Sequence, residues 1–205
     1  MKRLLLTLLS LLLPLLLSTC VNREEPPAPN YLSMMEDAAL VGDREAGHLA
    51  EYARNRQIDL EDSSEAKIAF DDLFLLSRLI YLEAGDARCS DEQRMCVGEV
   101  VLNRVASPEY PDNLEAVVYQ EGQYPGTGTS AFQESVLPNR ASAQAAMRLL
   151  LGERMLEPQV VIQSHQQPSG EVYASFCNRR GFLYVYTYFC ASPNTELYLF
   201  SPLTP

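Results

Sequence analysis

The chain lacks the residues on which several common enzyme chemistries depend. It has two histidines, His48 and His165, and neither lies in an HExxH motif or beside a cysteine knuckle. The four cysteines after position 80 do not have the spacing of metal ligands, and no glycine-rich loop is present to hold a phosphate. A zinc amidase or peptidase is therefore not expected, and we predict neither a metal nor a cofactor. We expect His48 to lie at the surface or in packing contacts and His165 to be structural.

Basic residues are also scarce. The chain carries 16 Lys and Arg against 27 Asp and Glu, a net charge of −11. Removal of residues 1–19 would take away Lys2 and Arg3 and no acid, which leaves 14 basic residues and a charge of −13. A charge of this sign argues against binding to nucleic-acid backbones.

A single long apolar run, residues 4–17, follows the two N-terminal basic residues. It has the length and the flanks of an export signal, and it is too short to span a bilayer comfortably. We therefore predict a signal peptide at residues 1–19 and an exported protein. The four residues from Leu17 to Cys20 resemble a lipoprotein signal box, in which the thiol of Cys20 is lipidated. The alternative is ordinary cleavage nearby, without a lipid.

Five cysteines in an exported chain would leave one of them unpaired. Lipidation of Cys20 would leave Cys89, Cys96, Cys177 and Cys190 for two disulfide bridges. Cys89 and Cys96 are about 10 Å apart along a helix, which is too far for them to pair with each other. The connectivity stays open, and a bridge between helix and sheet is favoured.

Composition divides the exported part of the chain into four segments. Residues 20–35, which include three prolines among charges, are predicted to be a tether. Residues 36–69 form an N-terminal extension, and the region from about 31 to 57 is expected to be one long helix. Residues 70–192 form the main domain, which is long enough to bury its own core. Residues 193–205 are a C-terminal tail.

The main domain changes from helical to strand periodicity along its length. Helices are predicted over about 70–83, 91–105 and 141–151, and Ser90 with Gln93 forms a capping box at the start of the second. The buried face of that helix consists of Cys96, Val97, Val100 and Val101. Strands are predicted over 160–163, 171–177 and 182–189. The fold class is therefore α+β, mainly helical with a small antiparallel sheet near the C-terminus.

Glu83 occupies a position where the helical pattern calls for an apolar residue. It continues the face of Leu73, Leu76 and Ile80 at spacings of three and four. Apolar surroundings and the negative end of the helix, which Gly85 is expected to stop, both disfavour a charged carboxylate here. The pattern predicts a proton donor that works near neutral pH. The alternative is a helix-end side chain that simply turns to solvent.

A long irregular segment, residues 109–138, separates the second and third predicted helices. It is expected to hold one short helix near 114–119 and otherwise to be a loop, which in a compact domain is usually functional or mobile. Gln123 and Tyr124 lie in this loop and are candidates to line a sugar-binding groove by hydrogen bonding and ring stacking. Tyr124 as an ordinary half-buried aromatic is the equal alternative.

Seven short motifs in a fixed order carry a family resemblance. Residues 76–85, LSRLIYLEAG, and residues 97–105, VGEVVLNRV, closely resemble the SleB/CwlJ-type cell-wall hydrolase domain of spore-forming bacteria. The further motifs are PDN at 111–113, VVYQ at 117–120, GQY at 122–124, LLG at 150–152 and YFC at 188–190. The resemblance covers residues from about 70 to 191.

This resemblance implies an enzyme that cuts the glycan strands of peptidoglycan, especially spore cortex, with one catalytic glutamate that maps to Glu83. It also implies a fold similar to lysozyme-like lytic transglycosylases. Asn103, in the second motif, joins Gln123 and Tyr124 as a candidate substrate contact. A lone glutamate suggests that the substrate supplies the nucleophile at bonds between N-acetylmuramic acid (MurNAc) and N-acetylglucosamine (GlcNAc), through its own acetamido group or its 6-hydroxyl, whereas a second carboxylate would imply hydrolysis by water. The 6-hydroxyl route, which is lytic transglycosylation, is favoured.

The sequence departs from the family where Gly85-Asp86 follows Ala84 directly, one residue shorter than usual. Asp86 either replaces a second acid or only satisfies the loop backbone. Two other functions are compatible with the chain: a non-catalytic peptidoglycan-binding lipoprotein, and a germination or assembly scaffold docked through the apolar stripe of residues 46–53. The expected location is the outer face of the cytoplasmic membrane, through Cys20, or the cell wall or spore envelope.

Overall fold

The computed structural model describes residues 29–198. The predicted signal peptide, Cys20, most of the predicted tether and residues 199–205 lie outside the described residues. No helix within 29–198 combines the length and the apolar content that crossing a bilayer requires.

The described residues contain seven α-helices and one three-stranded sheet, which confirms the α+β class. The helices are α1 Tyr31–Val41, α2 Arg44–Leu60, α3 Phe70–Ala84, α4 Asp91–Ala106, α5 Leu114–Val118, α6 Ser130–Glu134 and α7 Arg140–Leu150. The strands are β1 Val160–His165, β2 Val172–Arg180 and β3 Leu183–Ala191, and short 3-10 turns occur at Pro125–Gly128 and Thr195–Tyr198. Helices therefore fill the first two thirds of this region, and the sheet follows them.

The N-terminal extension is two helices, so the prediction of one long helix is wrong. Gly42 has a φ of 70°, a left-handed conformation that ends α1 and that glycine adopts at little cost. Asp43 then caps α2, because its side chain accepts a hydrogen bond from the backbone N–H of Ala46 at 3.0 Å. Residues 31–35, which the sequence suggested as part of the tether, form the start of α1, where Met35 is fully buried.

The buried face of α2 differs from the predicted stripe. Leu49 is 65% exposed, whereas Gly47, Ala50 and Ile58 face the interior. A Cβ at position 47 would lie only 2.3 Å from the ring of Phe70, so the glycine permits the close approach of α2 to the start of α3. The size of Phe70 therefore sets which face of α2 packs inward.

The centre of the fold is the crossing of α3, α4 and α7. Gly98 lies at this crossing, where a Cβ would stand 2.5 Å from Leu149 of α7 and 2.7 Å from Ile80 of α3. Glycine costs helix stability in the middle of α4, and here it permits close packing of three helices. The fully buried residues Leu73, Leu76 and Ile80 of α3 anchor this crossing.

The predicted cap of α4 is confirmed in part. Ser90 accepts a hydrogen bond from the backbone N–H of Gln93 at 3.2 Å. The Gln93 side chain does not complete a capping box, because its Oε1 accepts from Asn178 Nδ2 at 2.7 Å. This polar contact joins the first turn of α4 to β2. The predicted buried face of the helix, Cys96, Val97, Val100 and Val101, is confirmed.

The sheet is antiparallel with the strand order β1-β3-β2. In the register, Gln163 lies opposite Phe189, and His165 lies opposite Thr187. Phe189 is fully buried against the helices, so Gln163 and His165 of β1 also belong to the inward face of the sheet. Strand β1 ends at His165, two residues beyond its predicted end at position 163.

The cysteines of the described region are free thiols, so the two expected bridges are not formed there. Cys177 lies opposite Tyr186 in the register, four residues from Cys190. Four residues of strand correspond to about 13 Å, too far for a disulfide. Cys96 and Cys190 are both buried in the interior.

Candidate active site

Glu83 lies in the last turn of α3, on the same face as the buried residues Leu76 and Ile80. Its side chain is 18% exposed, so the carboxyl is largely enclosed and still reaches solvent. Oε2 is held by neighbouring side chains, whereas Oε1 makes no hydrogen bond to any residue between 29 and 198. One oxygen of the carboxyl is therefore anchored and the other is available to a ligand.

The loop after Glu83 is pinned by two side chains from other helices. Asn139, the cap of α7, donates from Nδ2 to the carbonyl oxygen of Gly85 at 3.1 Å. Arg94 of α4 donates to the carbonyl oxygen of Asp86 at 3.0 Å. These bonds satisfy backbone carbonyls at the end of α3 and fix the position from which Glu83 projects.

Two side chains of β1 face the Glu83 carboxyl. Gln163 donates from Nε2 to Oε2 at 3.1 Å, and His165 places Nε2 3.8 Å from the same oxygen. At 3.8 Å the contact is too long for a hydrogen bond, and it is an ion pair when the histidine is protonated. The sheet brings the His165 ring to the candidate acid, and the expectation that His165 is structural stays a prediction.

The carboxyl of Glu83 raises the pKa of His165 above its ordinary value. Partial burial and the positive charge of Arg180 act in the opposite direction and are outweighed. The other ring nitrogen, Nδ1, lies 3.3 Å from the hydroxyl oxygen of Thr187. The histidine ring is thus held from both sides, by a carboxyl and by a hydroxyl.

The residues of the second motif hold β1 against α4. Asn103 donates from Nδ2 to the carbonyl oxygens of Glu157 and Val160, at 3.0 and 3.1 Å. Arg104 donates from Nε to the carbonyl oxygen of Val161 at 2.7 Å. Asn103 therefore has its amide hydrogens engaged within the fold. Its visible contribution is to position the strand that carries Gln163 and His165.

Tyr124 lies in the interior behind the candidate acid. It is 4% exposed, and the Arg104 guanidinium lies 5.1 Å from the centre of its ring. Burial raises the pKa of Tyr124 to about 12, with Arg104 acting to lower it and Glu83 to raise it further. Its hydroxyl is buried without a partner in the described part of the chain. Gln123 is only half-buried and lies at the turn before it.

Tyr124 therefore lies near enough to Glu83 for the carboxyl to raise the pKa of the phenol. Asn103 bonds instead to the backbone carbonyls of Glu157 and Val160. Tyr124 does not present a ring face at the surface, so the geometry differs from the predicted stacking platform.

The two nearby acids in the sequence have other partners. Asp86 forms an ion pair with Arg88 and accepts the Arg88 backbone N–H at 3.0 Å, and these contacts lower the pKa of Asp86. Glu99 is fully buried, and its Oε2 accepts from the backbone N–H of Met155 at 2.7 Å. Of the two roles open to Asp86, these contacts correspond to satisfying the loop.

Two cavities of the described region, of about 220 and 330 Å³, share Arg44, Phe74 and Arg78 and include neither Glu83 nor the two β1 side chains. Between residues 29 and 198 no cluster of three metal-ligating side chains occurs.

Gln163 and His165 were missed as site residues. Their spacing of two residues places both on one face of a strand, and a strand extended to 165 would have placed them together. The sequence has no local signal that this face meets the end of α3, because the contact joins residues 80 positions apart.

The described region is therefore an α+β domain in which Glu83 lies on the buried face of α3 and still reaches solvent. Residues 89–169 match the family model described as Cell Wall Hydrolase. The match confirms the resemblance to SleB/CwlJ-type cell wall hydrolases for this segment and supports an enzyme that acts on peptidoglycan. The matched segment begins six residues after Glu83, and it includes Gln163 and His165. Comparison with curated proteins and with solved structures gave no match.

Proposed function

We propose that the protein cleaves the glycan strands of peptidoglycan at MurNAc–GlcNAc bonds, with Glu83 as the catalytic acid. The observation that carries this proposal is the environment of the Glu83 carboxyl, in which Gln163 anchors Oε2 while 18% of the side chain remains exposed. A general acid must be fixed in position and must reach the oxygen that it protonates. Glu83 meets both requirements.

The engagement of Asp86 and Glu99 by other groups favours a lytic transglycosylase. A hydrolase of the inverting or retaining type uses two carboxyl groups on either side of the bond. Asp86 is paired with Arg88, and Glu99 is buried against a backbone N–H, so neither resembles a free second acid. The substrate itself would then supply the nucleophile.

In this reaction Glu83 gives up its proton in the first step and recovers a proton in the second. The O–H bond of Glu83 breaks as a new O–H bond forms on the glycosidic oxygen, and the C1–O bond breaks to give an oxocarbenium-like state. The 6-hydroxyl of the same muramyl residue attacks C1 and forms the 1,6-anhydro ring. Its proton returns to the Glu83 carboxylate, which restores the acid without consumption of water.

We infer that the enzyme is exported and that Cys20 is lipidated, so that the domain acts from the outer face of the cytoplasmic membrane or within the wall or spore envelope. The support is the sequence of residues 1–20 alone. Radiolabelled palmitate should be incorporated into the wild-type protein and not into a Cys20→Ala variant. Equal labelling of the two would reject the lipid anchor.

The test of the catalytic proposal is product analysis. Purified protein and its Glu83→Gln variant are incubated with spore cortex and with vegetative peptidoglycan, and the released fragments are identified by mass spectrometry. Anhydro-muramyl fragments are expected from the wild type and not from Glu83→Gln. The preferred substrate is the one that releases more fragments.

A matched control is Glu45→Gln, which makes the same chemical change at an exposed position on α2. It should release fragments like the wild type. Binding to peptidoglycan without fragments from any variant would support the non-catalytic lipoprotein instead. Fragments from Glu83→Gln at the wild-type rate would remove Glu83 from the mechanism.

A further inference from the structure

His165 closes β1 directly beside the candidate acid. Its Nε2 is 3.8 Å from Glu83 Oε2, and its Nδ1 is 3.3 Å from Thr187 Oγ1. Thr187 is His165's cross-strand neighbour and is 3% exposed, so its hydroxyl is a fixed anchor for the ring. Half of the histidine side chain, 51%, remains accessible, which leaves the ring open to solvent.

The charges around the ring come from each element that packs against it. Glu83 faces it from α3, and Arg180 acts on it from the end of β2, while β3 contributes Thr187 and a backbone contact at Tyr186. Behind Glu83 lie the buried phenol of Tyr124 and, stacked on it, Arg104. The carboxyl is the only negative charge in direct contact with the ring among the described residues.

We propose that His165 is a positioning residue that shares one proton with Glu83 and so keeps that carboxyl competent as an acid up to neutral and mildly basic pH. This inference rests on the proposed role of Glu83 and goes beyond it. A lone exposed glutamate loses its proton well below neutral pH, whereas a histidine retains one about two units higher. The pair therefore stores the proton that the reaction needs.

The proton moves within the pair without any external donor. In the free enzyme the imidazolium faces the carboxylate. A glycan strand that covers the site removes water and so disfavours the two separated charges. As water leaves, Nε2 and Oε2 come within hydrogen-bond distance, the Nε2–H bond breaks and an O–H bond forms on Oε2, which leaves a neutral imidazole and a protonated Glu83. A half-turn about the terminal torsion of the glutamate then exchanges its two oxygens, so that Gln163 donates to Oε1 and Oε2 presents the proton to the glycosidic oxygen.

Thr187 and Gln163 have separate parts in this arrangement. The Thr187 hydroxyl fixes the ring through Nδ1, so that Nε2 is the nitrogen directed to the acid. Gln163 holds Oε2 from the side and keeps the carboxyl in register with the ring. The clamp of Asn103 and Arg104 on β1 fixes the strand that carries Gln163 and His165.

The direct test uses the fact that the chain has only two histidines. Their ring signals are followed by NMR across pH in the wild type and in Glu83→Gln. The midpoint of His165 should fall by about one unit in the variant, the usual effect of losing an adjacent opposite charge. The midpoint of His48 should not move, because its neighbours Glu51 and Asp71 are unchanged. An unchanged His165 midpoint would overturn the pair.

The second arm measures fragment release against pH. In His165→Gln the high-pH limb of the profile should move down by about two units, the difference between a histidine and a glutamic acid. His48→Gln should leave the profile in place. A His165→Gln variant that is slower at every pH by the same factor, with its limb unmoved, would reduce His165 to a structural role and overturn the proposal.

Two substitutions of Thr187 distinguish the hydrogen bond of its hydroxyl from the packing of its side chain. Thr187→Ser retains a hydroxyl and should preserve the wild-type limb, whereas Thr187→Val is similar in shape and should lower it. Equal profiles for the two variants would contradict the anchor. Wild-type protein that releases no fragments would reject the proposed function and the catalytic use of the pair together, while the NMR arm would still decide whether the pair exists.

Discussion

The end of α3 and the middle of α4 each place a glutamate against apolar neighbours, with different results. Glu83 is 18% exposed, and its contacts are the side chains of Gln163 and His165. Glu99 is fully buried, and its contact is the backbone N–H of Met155. Burial raises the pKa of Glu99 and gives it no access to a substrate. An unusual acid in a core is therefore a catalytic candidate only where the fold opens a path to it.

The largest expected effect is the difference in activity between the two glutamates. Glu83→Gln should lower fragment release by about 10²- to 10⁴-fold, the usual contribution of a general acid. Glu99→Gln should retain activity wherever the protein is folded. Initial rates on purified peptidoglycan, with circular dichroism to establish folding, measure both. Comparable losses in two folded variants would erase the distinction between the two regions.

The crossing of α3, α4 and α7 should be a sensitive point for stability. Gly98→Ala places a methyl group 2.5 Å from Leu149 and 2.7 Å from Ile80, so the free energy of unfolding should drop. The expected net loss is about 1–2 kcal/mol, because the cost of overpacking is partly offset by the higher helix propensity of alanine. Urea denaturation measures it, and Gly128→Ala, where a Cβ meets no atom within 4 Å, is the matched control. An unchanged midpoint for Gly98→Ala would show that the helices are not packed this closely.

Glu99 should also give the stability a pH dependence. Because its pKa is raised in the folded state, the folded protein binds the proton more tightly than the unfolded chain. Its contribution is present below the ordinary glutamate value and is lost as pH rises through the folded value, with a slope of up to about 1.4 kcal/mol per pH unit. The difference in stability between wild type and Glu99→Gln, measured by urea denaturation across pH, should show this fall. A difference that stays constant with pH would argue that Glu99 keeps its ordinary affinity for protons.

The smallest expected effect belongs to Asp86. Its oxygens are engaged by Arg88, so Asp86→Asn should change the rate of fragment release by less than about tenfold, below the usual contribution of a general base. The product mixture should not change. A loss as large as that of Glu83→Gln would make Asp86 the second acid and would move the mechanism to hydrolysis.

The sequence allowed most of the local structure to be predicted. Helix α3, the Ser90 cap of α4 and the three strands follow from periodicity and from capping residues, and each of these signals depends on near neighbours. Glu83 emerged because one helical position broke an otherwise apolar face. The family motifs pointed from this local pattern to peptidoglycan, and the match over residues 89–169 supports the motifs that lie within that range.

Contacts between distant segments were the part that could not be predicted. Nothing near His165 in sequence shows that the sheet meets the end of α3. The sequence left Tyr124 open between a groove-lining and a half-buried aromatic, and in the structure it is 4% exposed and packs against Arg104. Both outcomes depend on tertiary packing. The break at Gly42 has instead a local signal that the prediction overlooked, because a glycine ends α1 and Asp43 caps α2.

The most direct test of the central claim, that one carboxyl performs the chemistry, is digestion in H₂¹⁸O. Mass spectra of the released fragments report whether water entered the new sugar end. The account predicts anhydro-muramyl ends without ¹⁸O for the wild type, and no fragments for Glu83→Gln. Reducing ends that carry ¹⁸O would contradict it, because water and not the 6-hydroxyl of the muramyl residue would then supply the oxygen at C1.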